Sequence, residues 1–323
     1  MNILLTGGLG FIGHNVAQYL EVLGHNISII DRQKYFTTIA EDVQNYLFTE
    51  RAKKLKTANI QEGELFQTSL LNWELERQSI ETVIHLASLP NQKTVTANPI
   101  GASLTMSEGL LSTLEACAKN KVKKFVYISS SMVYGDFNDG VRESQECQPH
   151  GLYAILKHAG ELIVKDYAER TGMQYVIIRP SAVYGPLDTP DRVVHNFILA
   201  AMRNETIHVR GIDEYLDFTY VEDTARGIAK AALSDSANNN TYNITRGKSR
   251  SLIEAAEIVC DIVGGGTIKI EHRDSTFPRR GTLNIEAAQR DFYYTPLIDI
   301  EEGFRLYYDW FKESIYNLEQ LSK

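Results

Sequence analysis

A doubly wound parallel α/β sheet with a smaller α/β lobe attached is the fold that this 323-residue sequence predicts. Three observations carry it. The chain opens with an apolar run, Asn2-Ile3-Leu4-Leu5-Thr6, that breaks into a glycine turn and then a helical pattern. Apolar runs recur at residues 2–6, 26–31, 64–68, 82–86, 124–130 and 174–178, separated by amphipathic segments suited to crossover helices. Runs such as Thr82-Val83-Ile84-His85-Leu86 are apolar almost throughout, as expected of strands covered by helices on both faces. After Pro180 the pattern loses its regularity. The expected division is therefore a sheet domain over 1–180 and a lobe over 181–323, with a segment near 217–235 returning to the first domain.

The first strand ends in Gly7, Gly10 and Gly13, with Phe11 and Ile12 opening the helix. This spacing lets the backbone turn, lets a diphosphate approach the amides and lets the helix pack close to the strand with its positive end toward the phosphates. The second run ends in Asp31, where a carboxylate meets the ribose hydroxyls of an adenosine. Such a carboxylate repels a 2′-phosphate, so NAD is expected and NADP disfavoured. Arg32 follows and is counted with the cofactor contacts, although a surface arginine after a strand is the commoner situation.

Composition narrows the function. With 43% apolar and 23% charged residues the chain has ample material for a core. A net charge of −8 argues against nucleic acid as a partner. The basic run Arg51-Ala52-Lys53-Lys54-Leu55-Lys56 reads as a solvated face. No run approaches the roughly 18 apolar residues of a membrane span, and a strand that begins at the first residues leaves no room for a cleavable signal. A cytoplasmic protein is expected. Cys117, Cys147 and Cys260 are few, scattered and without CxxC spacing, so they read as reduced thiols. The eight histidines lack HExxH spacing and no GxSxG elbow occurs, so no metal centre and no serine-hydrolase site is expected.

Chemistry enters at the end of the fifth strand, which delivers Ser129-Ser130-Ser131-Met132-Val133-Tyr134-Gly135 to the carboxyl edge of the sheet, where ligands of open α/β folds bind. Some twenty residues on, Tyr153-Ala154-Ile155-Leu156-Lys157 puts a phenol and an ammonium one helical turn apart on one face. The ammonium lowers the phenol's pKa, and a nicotinamide cation lowers it further, making Tyr153 a general base. A serine hydroxyl from 129–131 completes the site. Tyr308 and Lys312 share the spacing but follow no serine-bearing strand, so they read as a packed tyrosine and a surface lysine.

This order of motifs resembles the extended short-chain dehydrogenase/reductase family, and within it the NAD-dependent nucleotide-sugar epimerases and dehydratases. The resemblance rests on TGGxGFIG at Thr6–Gly13, His85-Leu86-Ala87, SSxVYG at Ser130–Gly135, YxxxK at Tyr153–Lys157, Arg179-Pro180-Ser181-Ala182-Val183-Tyr184-Gly185-Pro186, Asp217–Asp223 and Tyr242-Asn243-Ile244. It implies catalysis by Ser130, Tyr153 and Lys157, with Ser131 beside them. Tyr153 takes the proton of a sugar hydroxyl, a 4-keto sugar turns over, and hydride returns to its opposite face. It further implies cofactor contacts from Ser69, Leu70, Leu86, Ala87, Tyr153, Lys157 and Pro180, and substrate contacts from Ser131, Met132, Ala182 and Arg279.

Departures from the family pattern refine this. Met132 stands where dehydratases and decarboxylases carry an acid, so those reactions are not expected. Leu216 replaces an arginine that meets the substrate diphosphate, Ala182 replaces an asparagine, and Ser69 stands where an acid often contacts adenine. Arg279 aligns with a second diphosphate arginine. Epimerisation of a nucleotide sugar at C4 is the leading expectation. A 4-keto-sugar reductase uses the same residues, and a non-catalytic NAD-binding protein would not need Tyr153 and Lys157. Amphipathic segments near 100–119 and 151–169 correspond to the pair that, in the family, forms a four-helix bundle across a two-fold axis, so a homodimer is expected.

Overall fold

The structure is a computed structural model and describes residues 1–32 and 39–321. The first part of the chain runs β1 (Asn2–Thr6), α1 (Phe11–Val22), β2 (Asn26–Asp31), α2 (Glu41–Lys53), β3 (Asn59–Glu62), α3 (Thr68–Arg77), β4 (Thr82–His85), α4 (Gln92–Ala97), α5 (Pro99–Ser103), α6 (Gly109–Lys119), β5 (Lys124–Ile128), α7 (Leu152–Thr171) and β6 (Gln174–Pro180). It continues through β7 (Val183–Tyr184), α8 (Val193–Met202), β8 (Thr206–Arg210), β9 (Tyr215–Leu216), β10 (Thr219–Tyr220), α9 (Val221–Leu233), β11 (Asn240–Ile244), β12 (Arg250–Ser251), α10 (Leu252–Val263), β13 (Thr267–Glu271), α11 (Glu286–Phe292) and α12 (Ile300–Leu321).

Seven strands form one sheet in the order β3-β2-β1-β4-β5-β6-β11, every pair parallel. The order reverses between β1 and β4, which opens a ligand crevice at their carboxyl ends. The pleat sorts side chains to two layers. Ile3 and Leu5 of β1 join Val16, Leu20 and Ile228 from α1 and α9, whereas Leu4 joins Leu71, Leu110 and Val164 from α3, α6 and α7. This is the doubly wound architecture expected.

The third strand is displaced from its expected place. Residues 64–67 form a turn closed by the Gln67 amide on the Glu64 carbonyl at 3.0 Å, and the strand is the more polar Asn59-Ile60-Gln61-Glu62. As the sheet's edge, β3 is half exposed and needs no apolar run; Leu65 is buried as a turn residue under α3 and α6. The basic run also divides. Lys53, Lys54 and Lys56 are exposed, but Arg51 is fully buried. The helix expected near 100–119 is made of α5, a π turn at Leu104–Glu108 and α6.

Short strand pairs β7–β10, β9–β12 and β8–β13 accompany α8, α10 and α12 around an aromatic core of Tyr184, Phe218, Phe304 and Phe311. Asp217 anchors this region as a structural residue. Its buried carboxylate accepts from the Thr245 hydroxyl and from the amides of Gly247 and Leu283 at 3.0–3.1 Å. Among the described residues, no helix is long and apolar enough to cross a membrane.

Candidate active site

A cavity of about 1420 Å³ starts at the glycine turn, passes the carboxyl ends of β4, β5 and β6 and continues between the sheet and the α8–β8 region. Gly7, Gly10, Phe11, Ile12, Gly13 and Leu86 line its first end. Gly7 has φ +71°, and a Cβ there would stand 2.8 Å from the Ala87 backbone; at Gly13 it would stand 2.5 Å from the Gly7 carbonyl. Only glycine permits both approaches. The Leu9 peptide is fixed on two sides: its amide donates to the Asp31 carboxylate at 2.9 Å, and its carbonyl accepts from Arg51 Nη1 at 3.2 Å. Arg51 also donates from Nη2 and Nε to the Leu187 carbonyl, tying the turn to the loop after β7. A backbone cradle at a helix start, with a buried acid at the end of β2 beside it, fits a dinucleotide.

Of two further expected cofactor contacts, Ser69 is exposed at the start of α3 and Leu70 packs partly buried against the core beneath that helix. The residue that does leave β3 near Asp31 is Glu64, with Arg32 Nη1 at 3.9 Å from its carboxylate. Arg32 also donates to the Thr105 hydroxyl at 3.3 Å.

At the middle of the cavity the structure brings Ser130, Ser131, Met132, Tyr153 and Lys157 to one wall. β5 ends at Ile128, and Ser130 caps the following turn by accepting the Met132 amide at 3.2 Å. The Tyr153 amide donates to Gln92 Oε1 at 3.0 Å, fixing the start of α7. Lys157, one turn on, is buried and donates to the Ile128 carbonyl at 2.7 Å. Burial pushes its pKa down to about 7, and the nearby Glu161 carboxylate works in the other direction. Burial also raises the Tyr153 pKa; the Arg192 charge and a hydrogen bond with Ser130 oppose that rise. In the protein alone Tyr153 is thus held above its ordinary pKa, and the groups that oppose the rise are Arg192 and Ser130, not the Lys157 ammonium that the spacing led one to expect.

Behind this wall Glu161 is fully buried, accepting from Ser129 and from Arg179 at 2.5–2.9 Å. Arg179 stacks over Tyr134 at 4.7 Å. Cys147, His158 and Glu161 gather within 4.8 Å, but the Arg179 guanidinium already occupies the Glu161 carboxylate.

The far wall changes the expected substrate contacts. Pro180 and Ala182 line the cavity, and Ala182 has φ +40°, a region in which asparagine is far commoner than alanine. Leu216 is buried in the neighbouring core and brings no charge. Arg279 is exposed, its amide donating to Asp136, whereas its neighbour Arg280 lines the cavity. Burial and the Arg192 charge push the Arg280 pKa down to about 10, with Glu214 acting against them. Of these two adjacent arginines Arg280 lines the cavity, whereas Arg279, the expected substrate contact, faces solvent. Gln92, Arg192 and Arg51 were also missed, since each acts from a loop or helix with no distinguishing spacing.

A family model described as the NAD dependent epimerase/dehydratase family matches residues 3–245. An uncharacterized UDP-glucose epimerase of Bacillus subtilis is 27% identical over 314 residues, covering 94% of this chain and 95% of that protein. The solved UDP-glucuronic acid 4-epimerase of Bacillus cereus, in complex with UDP-glucuronic acid and NAD, superposes with a TM-score of 0.88 at 26% identity, covering 97% of this chain and 99% of that one. A UDP-glucose 4-epimerase from Thermotoga maritima, solved with UDP-glucose, gives 0.86 at 25% identity over 98% and 100%.

Proposed function

Because the chain belongs to the NAD dependent epimerase/dehydratase family, we propose that it interconverts two nucleotide sugars that differ in configuration at C4. NAD is its cofactor. The observation that carries the reading is the meeting of Ser130 and Tyr153 beside buried Lys157, in a cavity continuous with the glycine turn.

Bound NAD supplies a hydride acceptor that can later return what it took. The protein's own residues do the rest. Ser130 hydrogen-bonds the reacting C4 oxygen, and Tyr153 removes its proton and restores it after the keto sugar has turned over. Lys157 in its ammonium form stabilises the phenolate by charge, held in place by the Ile128 carbonyl. Met132 packs apolar bulk beside Tyr153, and this position supplies no acid for an elimination. Arg280 takes the diphosphate role that Leu216 cannot fill and that Arg279, facing solvent, is not placed to fill.

Assembly and location belong to the same reading. Ile100, Leu104 and Leu111 on α5–α6, with Ile155 and Leu162 on α7, expose 39–72% of their surface. Apolar residues on two adjacent helices support a homodimer closed by a four-helix bundle. Three free cysteines accord with a cytoplasmic enzyme. We place the boundary between cofactor and substrate lobes at 180, with a later segment returning to the first: α9 packs on α1, and β11 after it pairs with β6, so the return reaches beyond the expected 217–235.

The test is made on the protein as purified. NAD or NADH is expected in the supernatant after denaturation, together with interconversion of two nucleotide sugars without added cofactor. A protein that purifies empty and oxidises added NADH stoichiometrically on a 4-keto sugar is a reductase.

A further inference from the structure

The helix that carries Tyr153 begins without a cap of its own. An α-helix leaves the amides of its first turn without intrahelical acceptors, and a side chain just before the helix usually accepts one of them. At the start of α7 that place belongs to Gly151, which has φ +83° and no side chain to cap with. Tyr153 is the second residue of the helix, so its amide is one of the donors left over. Gln92, 61 residues earlier and the first residue of α4, provides the acceptor: its Oε1 takes the Tyr153 amide at 3.0 Å.

The surroundings fit this contact from several sides. Gln92 Nε2 donates to Thr96 Oγ1, one turn further along α4, at 3.1 Å, and this turns Oε1 toward α7. The face of the Gln92 amide lies on Gly151, where a Cβ would stand 2.7–2.8 Å from Oε1, Cδ and Nε2. Glycine at 151 thus gives up a local cap and makes room for a remote one. The backbone that carries Gln92 is itself pinned: Asn91 accepts the Thr94 amide at 2.9 Å and donates to Asp191 at 2.8 Å, and the Pro90 carbonyl accepts from Arg192 at 3.2 Å. A phenol hinged at a helix start passes any tilt of that start on to its hydroxyl, and a misplacement of about 1 Å at a reacting group costs on the order of 10²-fold in rate.

Resting on the reading of Tyr153 as general base, we propose that Gln92 is a positioning residue for the reaction. It holds the first turn of α7 so that the Tyr153 hydroxyl meets Ser130 and the sugar oxygen.

The experiment compares the NAD-loaded parent with Gln92→Met, which keeps the length and loses the acceptor, and with Gln92→Glu, which keeps an acceptor oxygen. Epimerisation is read with UDP-glucose and UDP-glucuronate as probes, as KM and as kcat at the plateau of each pH profile; hydrogen exchange of the amides of 152–155 is read by mass spectrometry. Gln92→Met is expected to lower kcat about tenfold with KM within about threefold, and to speed the exchange about tenfold. Gln92→Glu is expected to recover most of both. Gly151→Ala, whose Cβ evicts the Gln92 amide, is expected to repeat the loss, and the double variant with Gln92→Met to add little to it. A Gln92→Met kcat equal to the parent's overturns the proposal, as does a loss confined to KM, which makes Gln92 a sugar contact, or an equal kcat loss in Gln92→Met and Gln92→Glu. A parent that converts neither probe while Gln92→Met speeds the exchange and Gln92→Glu restores it counts against the epimerase reading and supports the remote cap. Unchanged exchange in Gln92→Met defeats the proposal whatever the parent converts.

Discussion

Tyr153 and Lys157 on α7 and Tyr308 and Lys312 on α12 have the same spacing on the same kind of element, yet they differ in every property that chemistry needs. Lys157 is buried, donates to the carboxyl end of β5 and sits 6.0 Å from the Tyr153 ring centre. Lys312 is exposed, pairs with Asp309 at 2.7 Å and lies over the Tyr308 ring at 4.7 Å. Burial depresses the first ammonium; the aspartate raises the second. The i, i+4 spacing establishes only a shared helix face. What makes one pair reactive is the strand end that α7 crosses.

The contrast breaks first at the phenols. Tyr153→Phe removes the general base and is expected to lower kcat by roughly 10²-fold or more with NAD still bound. Tyr308→Phe is expected to leave kcat within about twofold, since it lies outside the cavity. Equal activity of Tyr153→Phe and the parent would remove the catalytic assignment.

At the cofactor end, Asp31→Ala deletes the carboxylate beside the glycine turn and is expected to weaken NAD retention about tenfold or more. Equilibrium dialysis of the purified variant reads this. Unchanged retention would mean that the ribose is held by other groups.

The lysines separate by pH. Lys157 has a folded pKa of about 7 against 10.5 unfolded, so between those values the unfolded chain binds more protons. Stability from this group therefore rises with pH across that window. Urea denaturation of cofactor-free protein is expected to show a shallower rise for Lys157→Met than for the parent. Lys312→Met is expected to keep the parent's slope there, because a raised pKa alters stability only above the ordinary lysine value. Identical slopes for all three would contradict the buried ammonium.

The outer face of α7 gives the smallest effect, a factor of two in mass. Light scattering is expected to find a dimer at micromolar concentration, and Leu162→Glu with Ile100→Glu is expected to shift it to monomer. A monomeric parent would leave those exposed side chains without the proposed partner.

Much of the sheet was legible because buried parallel strands are continuous apolar runs, and β1, β2, β4 and β5 stand where those runs are. β3 was not, because an edge strand carries no such run and Leu65-Phe66 imitated one. The glycine turn, Asp31 and the Ser130 strand end were readable from local spacing. Arg51, Arg192 and Arg280 were not: each acts across the fold, on a carbonyl or a cavity 42 to more than 100 residues away. Nothing in the spacing marks which of Arg279 and Arg280 turns inward.

Hydride return is the central claim, and a nucleotide sugar carrying deuterium at C4 tests it most directly. The epimerised product is expected to keep the deuterium at C4, with none lost to water and no dependence on added NADH. A product that carries hydrogen at C4, with the deuterium recovered in released reduced cofactor or in water, would contradict the account.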